Sequence, residues 1–177
     1  MKDSHKMTRN ELRSSFILAS VYALRMLGMF LILPIFAVYA ANLDAMPTSF
    51  QIGLALGIYG LTQAIFQIPF GMSSDYFGRK KVIYFGLLLF IIGSLIAGLS
   101  SSIDGIILGR SIQGAGAISA VLTALLSDIT REEQRTKGMA IIGGSIGLTF
   151  ALSLVLSPWL NKLIGVDGIF ILIAILV

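Results

Sequence analysis

The chain has 177 residues, 56% of them hydrophobic and only 12% charged, with a mean hydropathy of +0.90. Soluble domains carry about a quarter of their residues as Asp, Glu, Lys and Arg, so the composition excludes an ordinary water-soluble domain. Cysteine is absent and the single histidine, His5, lies in a polar amino-terminal tail. With no HExxH, GxSxG or Walker loop either, the sequence points away from an enzyme and from any metal or cofactor. The pI of about 9.6 does not indicate nucleic-acid binding, because the bases sit in short connections between apolar blocks, as in a bilayer protein.

In chain order, residues 1–14 form a polar tail with Lys2, Lys6, Arg9 and Arg13. It is too polar to begin a signal peptide, and the apolar block behind it is too long for one. Residues 15–177 read as one all-α, polytopic transmembrane bundle. Its blocks, 16–41, 52–70, 82–99, 103–126 and 139–156, meet or approach the ~20 apolar residues that a spanning helix needs. A sixth opens near Gly168 and is still apolar at Val177. That is about 15 Å of helix in a hydrocarbon core about 30 Å thick, so a truncated last helix is expected. The GxxxG pairs Gly53/Gly57 and Gly143/Gly147, with the cluster Gly109, Gly114 and Gly116 in the fourth block, are expected to supply the close helix packing that lipid does not drive.

Orientation follows from the bases. Beyond the four in the tail, Arg79, Lys80 and Lys81 follow the second block and Arg131, Arg135 and Lys137 the fourth. The opposite connections hold Lys162 alone, against Asp44, Asp104 and Asp167. The tail and these basic loops are therefore expected in the cytoplasm.

Several polar groups interrupt the apolar blocks. In the first, Arg25 is near mid-membrane, with Tyr22, Met29 and Phe36 near one helical face. Tyr59, Gln63 and Gln67 run along the second at i, i+4 and i+8, either a bridge to a neighbouring helix or a substrate wall. In the fourth, Arg110 and Gln113 share a face with Ala117. An arginine there either opens on a cavity or snorkels to the outer interface. No Asp or Glu lies deep in any block.

The connection Gly71-Met72-Ser73-Ser74-Asp75-Tyr76-Phe77-Gly78-Arg79-Lys80-Lys81 resembles the signature G-x-x-x-D-R-x-G-R-K of the major facilitator superfamily. Gly71, Asp75, Gly78, Arg79 and Lys80 match in register, and Tyr76 replaces the usual arginine. Residues 110–114, Arg-Ser-Ile-Gln-Gly, are similar to that family's R-x-x-Q-G motif. In the fifth block Gly143 and Gly147 match the antiporter motif G-x-x-x-G-P-x-x-G-G, but Leu148 stands in place of its proline.

The resemblance implies half of a twelve-helix fold: six helices as two inverted three-helix repeats, completed by a missing carboxyl-terminal half. It implies a secondary transporter of the bacterial inner membrane, most like drug/proton antiporters, that moves a small-molecule substrate by alternating access. Asp75 would latch the halves together on the cytoplasmic side, and Arg79 would pair with Asp128, which otherwise faces Arg131. Tyr22, Arg25, Gln63, Gln67, Arg110 and Gln113 are the candidates for cavity or coupling roles. Uptake or exchange of an anionic metabolite, with Arg25 and Arg110 as its ligands, and a non-transporting truncated fragment are the alternatives.

Overall fold

A computed structural model describes residues 6–41, 43 and 47–177; Lys2, His5 and Asp44 lie outside the described residues. Among these residues every regular element is helical, and five stretches are long and apolar enough to cross a membrane. Helix α1 spans Arg9–Ala41, α2 Ser49–Phe77 and α3 Arg79–Leu99; α4, Ile103–Ala115, and α5, Ser119–Ile129, divide the fourth stretch. A single 3-10 turn, Glu132–Gln134, then leads into α6, Arg135–Leu176.

Local chemistry explains where these helices start and stop. α1 begins at Arg9, inside the polar tail, and not at the apolar block. Thr8 N–H donates to the Glu11 carboxylate (2.7 Å) and Glu11 N–H donates to Thr8 Oγ1 (3.2 Å), a reciprocal capping box. Thr48 and Gln51 cap α2 in the same way. α2 continues to Phe77, so Asp75 is helical, and the expected loop shrinks to Gly78. Its φ of +93° lies in the region that favours glycine.

One break was not expected. The fourth apolar block is interrupted at residues 116–118, between α4 and α5. Ala117 therefore no longer continues the helical face of Arg110 and Gln113. In α6 the helix runs on through Pro158 and breaks at Gly165 (φ 68°, ψ 177°), inside the connection expected between the fifth and sixth blocks. Before that break, Ser145 Oγ approaches the Ala19 carbonyl (3.3 Å) and Ser157 Oγ donates to the Leu31 carbonyl. That limb therefore runs in the same sense as α1. After it, the Tyr39 hydroxyl donates to Asp167 (2.6 Å), and a Cβ on Gly28 would strike Ile173. The chain thus reverses direction at Gly165.

The core has two apolar layers. One joins Leu31, Ile32 and Phe36 of α1 to Tyr59, Phe90, Ile106 and Phe170. The other joins Leu18 and Ala19 to Phe70, Ile83, Leu122 and Ile142. Between the two layers α1, α2 and α4 carry the polar residues Arg25, Gln63, Arg110 and Gln113, alongside apolar ones such as Met26.

Of the glycines expected to bring helices together, the α4 cluster does so and the two GxxxG pairs do not. Nothing lies within 4 Å of a Cβ built on Gly53, Gly57, Gly143 or Gly147. Close approach occurs instead where α4 wedges between α2 and α3. A Cβ on Gly109 would lie 2.6 Å from Ala97 N, and one on Gly93 would meet the backbone of Gln113 and Gly109. Backbone-to-backbone contact of this kind requires small residues on both sides.

Candidate functional site: a charge cluster at the helix ends and a buried polar layer

The first candidate site lies where α2, α3 and α5 end. Arg79 donates through Nε to Asp128 Oδ2 (3.0 Å) and through Nη1 to Ser74 Oγ (2.6 Å), and it is also ion-paired with Asp75. The partner expected for Arg79 is therefore in contact with it. Asp128 does not turn to Arg131. The Asp75 and Asp128 side chains remain 66% and 52% exposed, so the cluster is open to an additional partner. Lys80 is exposed beside it and Gly71 passes Ala120 at 4.0 Å.

Gly53, Gly57, Gly60, Ala64, Gly71 and Asp75 fall within about 60° of arc on α2, by the 100° turn per residue. The first three have nothing within 4 Å of a built Cβ. Asp75 thus terminates a smooth stripe that is unoccupied at Gly53, Gly57 and Gly60 and meets Ala120 at Gly71.

Arg131 is engaged elsewhere, by a residue the sequence reading did not single out. Its Nε donates to Glu11 Oε1 (2.9 Å), its Nη2 to Glu11 Oε2 (3.0 Å), and its backbone N–H to the same carboxylate. The hydrogen bond to Glu11 raises the pKa of the Arg131 guanidinium. This bidentate pair ties the start of α1 to the connection before α6. The Thr8-x-x-Glu11 spacing signals a cap; nothing local signals a second partner 120 residues away.

The second candidate site is the polar layer. Arg25 and Arg110 are each 1% exposed, inside the bundle, neither at the outer interface nor on its surface. Arg110 donates to the Ala55 carbonyl (3.1 Å) and to Gln113 Oε1 (3.3 Å), and Gln113 donates to Ser94 Oγ (2.8 Å). Arg25 Nη1 donates to Ser119 Oγ (2.9 Å), while Nη2 reaches Gln63 Oε1 at only 3.4 Å. The Tyr59 ring lies between the guanidinium groups, 6.0 Å from that of Arg25 and 5.1 Å from that of Arg110. Buried cations of this kind lean on π faces and neutral acceptors. Tyr22, Gln63 and Gln67 are half-buried, and of these Gln63 is the one that faces an arginine of the layer.

These features define a polytopic α-helical membrane bundle, apolar outside, with a charged cluster at one end and buried arginines. The chain matches the profile of the Major Facilitator Superfamily over residues 18–177 and belongs to that family. It is 53% identical to the inner membrane transport protein YajR of Escherichia coli K12, over 98% of this chain and 38% of that protein. An uncharacterized transporter of Buchnera aphidicola subsp. Schizaphis graminum is 50% identical over 94% of the chain and 42% of its own length. The class H tetracycline resistance protein of Pasteurella multocida is 29% identical over 86% and 38%. The chain thus spans about two-fifths of the length of these relatives, which are named as transport or resistance proteins, and the family's members are transporters, not enzymes.

Proposed function

We propose that the chain is the amino-terminal half of a secondary active transporter that exports amphiphilic drugs or small molecules across a bacterial inner membrane by alternating access, in exchange for protons. The observation that carries this reading is the unoccupied stripe on α2 that ends in Asp75. A bundle of this family that presents a smooth helix face and an exposed, pre-positioned acid has a surface shaped for a second half. The limb after Gly165 serves as the start of a sixth helix. Helices 1–3 and 4–6 then form two inverted repeats, with the substrate near the midplane between this half and the missing one. The names of YajR and of the tetracycline resistance protein favour efflux from the inner membrane.

A second reading, exchange of an anionic metabolite, is favoured by the two buried arginines, since neither has a carboxylate partner among the described residues. Flux separates the two readings. Full-length protein in liposomes under an imposed proton gradient should move lipophilic cations or neutral amphiphiles, and the flux should collapse with the gradient. Gradient-independent exchange of an organic anion, lost in Arg110→Gln, would replace efflux with the second reading. Flux of neither class would leave a non-transporting membrane protein.

Orientation has its own test. Cysteines placed singly at Lys6, Lys81 and Arg135 should react with an impermeant maleimide only from the cytoplasm, and one at Lys162 only from outside. Labelling of position 81 from outside would invert the topology.

A further inference from the structure

On the side of α2 turned away from the glycine stripe, Phe70, Ser73 and Phe77 fall within about 60° of arc, centred about 140° from the stripe that ends in Asp75. With Lys81, Val82 and Phe85 of α3 they line a groove of about 420 Å³, within the size range of small-molecule sites, about 300–1,000 Å³. Phe70 stacks on Phe85, with ring centroids 6.1 Å apart, and joins the two helices. Phe77 and Phe85 are nonetheless 63% and 55% exposed. Facing away from the stripe, the groove opens towards lipid.

The departure from the family signature lies at its rim. Where the signature has an arginine this chain has Tyr76, whose ring is 86% exposed and meets that of Phe77 edge-on, with centroids 5.1 Å apart. An aromatic edge thus stands in place of a charge, and tyrosine is enriched at the membrane–water interface. Lys81 is the charged end of the groove. It is exposed, and no carboxylate pairs with it among the described residues. It immediately precedes the apolar block 82–99, which sets its ammonium at the level of the lipid headgroups. From there an exposed apolar track follows α3, because Phe85, Leu88, Ile92 and Leu95 are exposed and lie within about 80° of arc with Lys81. Lys81 to Leu95 is about 21 Å of helix, more than half of a hydrocarbon core about 30 Å thick.

We propose that this groove binds one anionic phospholipid of the bilayer. The phosphate sits on the Lys81 ammonium, and one acyl chain lies between Phe77 and Phe85 and on along the α3 track. A cation at the head of an apolar track matches both ends of such a lipid, and bases beside the membrane favour anionic headgroups. A second copy of the chain, docked about a twofold axis, would instead set Lys80 and Lys81 against the same bases. Binding of this lipid does not depend on the transport reading.

The test titrates full-length protein in detergent with phosphatidylglycerol, and separately with phosphatidylcholine of the same chains, and counts bound lipid by native mass spectrometry. One phosphatidylglycerol should bind ahead of the rest, with phosphatidylcholine weaker by about fivefold, the effect of one base near an anionic headgroup. Lys81→Gln should reduce phosphatidylglycerol to the level of phosphatidylcholine, whereas Lys81→Arg should keep the preference. Lys162→Gln removes an exposed base from another connection and should change nothing. Phe77→Ala shortens the wall and should weaken both lipids several-fold. Unchanged thermal midpoints in lipid-free detergent serve as the folding control. Equal binding of the two lipids by the wild type, or a Lys81→Gln protein with the wild-type preference, would overturn the site. Glycerol 3-phosphate that displaces the lipid would make it a site for free phosphate. A dimer that Phe77→Ala dissociates would give the groove to a second copy, and either result would overturn the lipid as its occupant.

Discussion

Gly109→Val should yield no folded bundle, whereas Gly57→Val should fold like the wild type and fail to transport. The contrast comes from what each new side chain meets. A Cβ at Gly109 would sit 2.6 Å from Ala97 N, 2.7 Å from the Gly93 carbonyl oxygen and 2.8 Å from Ala97 Cβ. Two of those three atoms are backbone, which no rotamer change relieves. Overpacking in a core that can adjust costs about 1–3 kcal/mol, and here α3 and α4 would have to separate along their length. The polar layer would go with them, because Gln113 reaches Ser94 across the same seam. At Gly57 nothing lies within 4 Å, so valine adds bulk to an open face and leaves this half intact. If that face seats the second half, the added bulk blocks the seat. Size-exclusion profile and thermal midpoint report folding, and flux in liposomes reports function. A monodisperse Gly109→Val protein with wild-type stability would show that the seam is not tightly held. Wild-type flux in Gly57→Val would show that the stripe faces lipid.

This contrast also marks what the sequence could and could not express. The spacing of apolar blocks is a local property, so membrane insertion and the bundle class were legible, as were the basic connections that flank the blocks. The pairing of Arg79 with Asp128 was legible through a motif. Which glycines face a neighbour was not, because GxxxG records only that one face is small. Gly53, Gly57 and Gly109 are each a small residue in an apolar helix, yet they differ in what lies opposite. The break after Ala115 was hidden for a related reason: residues 115–119, Ala-Gly-Ala-Ile-Ser, contain no proline and suit a continuous membrane helix. Tertiary contact decides there, with Gly116 pressed against the Gly86 carbonyl and Ile118 against Gly86 itself. At the end of the fifth block the helix passes through Pro158 and turns only at Gly165, late in the gap that the block spacing left before the sixth. Proline costs a helix one hydrogen bond, which neighbouring residues can absorb in a membrane, whereas a φ of +68° cannot be helical.

Asp75→Asn in the full-length protein should slow transport and shift the resting population away from the state in which the cytoplasmic side is closed. Asp75 already has one partner, Arg79, and its side chain is still 66% exposed, so the carboxylate has capacity for a second contact. If that contact is a helix N-terminus of the other half, its charge–dipole contribution is about 0.3–1 kcal/mol when exposed, rising to about 2 when partly buried. The closed state would then lose between about twofold and thirtyfold in relative population, a change that cysteine accessibility on both sides of the membrane can follow. Asparagine keeps the size and some hydrogen bonding, so folding should be unaffected, and a wild-type thermal midpoint serves as the control. Arg79 supplies the companion measurement, because it holds Asp75 and Asp128 at once. Arg79 is 22% exposed against 52% for Asp128, and pairs open to water typically couple by about 0.2–1 kcal/mol. A double-mutant cycle of Arg79→Ala and Asp128→Ala should therefore be non-additive by that amount in the closing equilibrium. Additive effects would mean that the contact does no mechanical work. Unchanged accessibility and flux in Asp75→Asn would remove the latch, and with it the main reason to assign the open stripe on α2 to a second half.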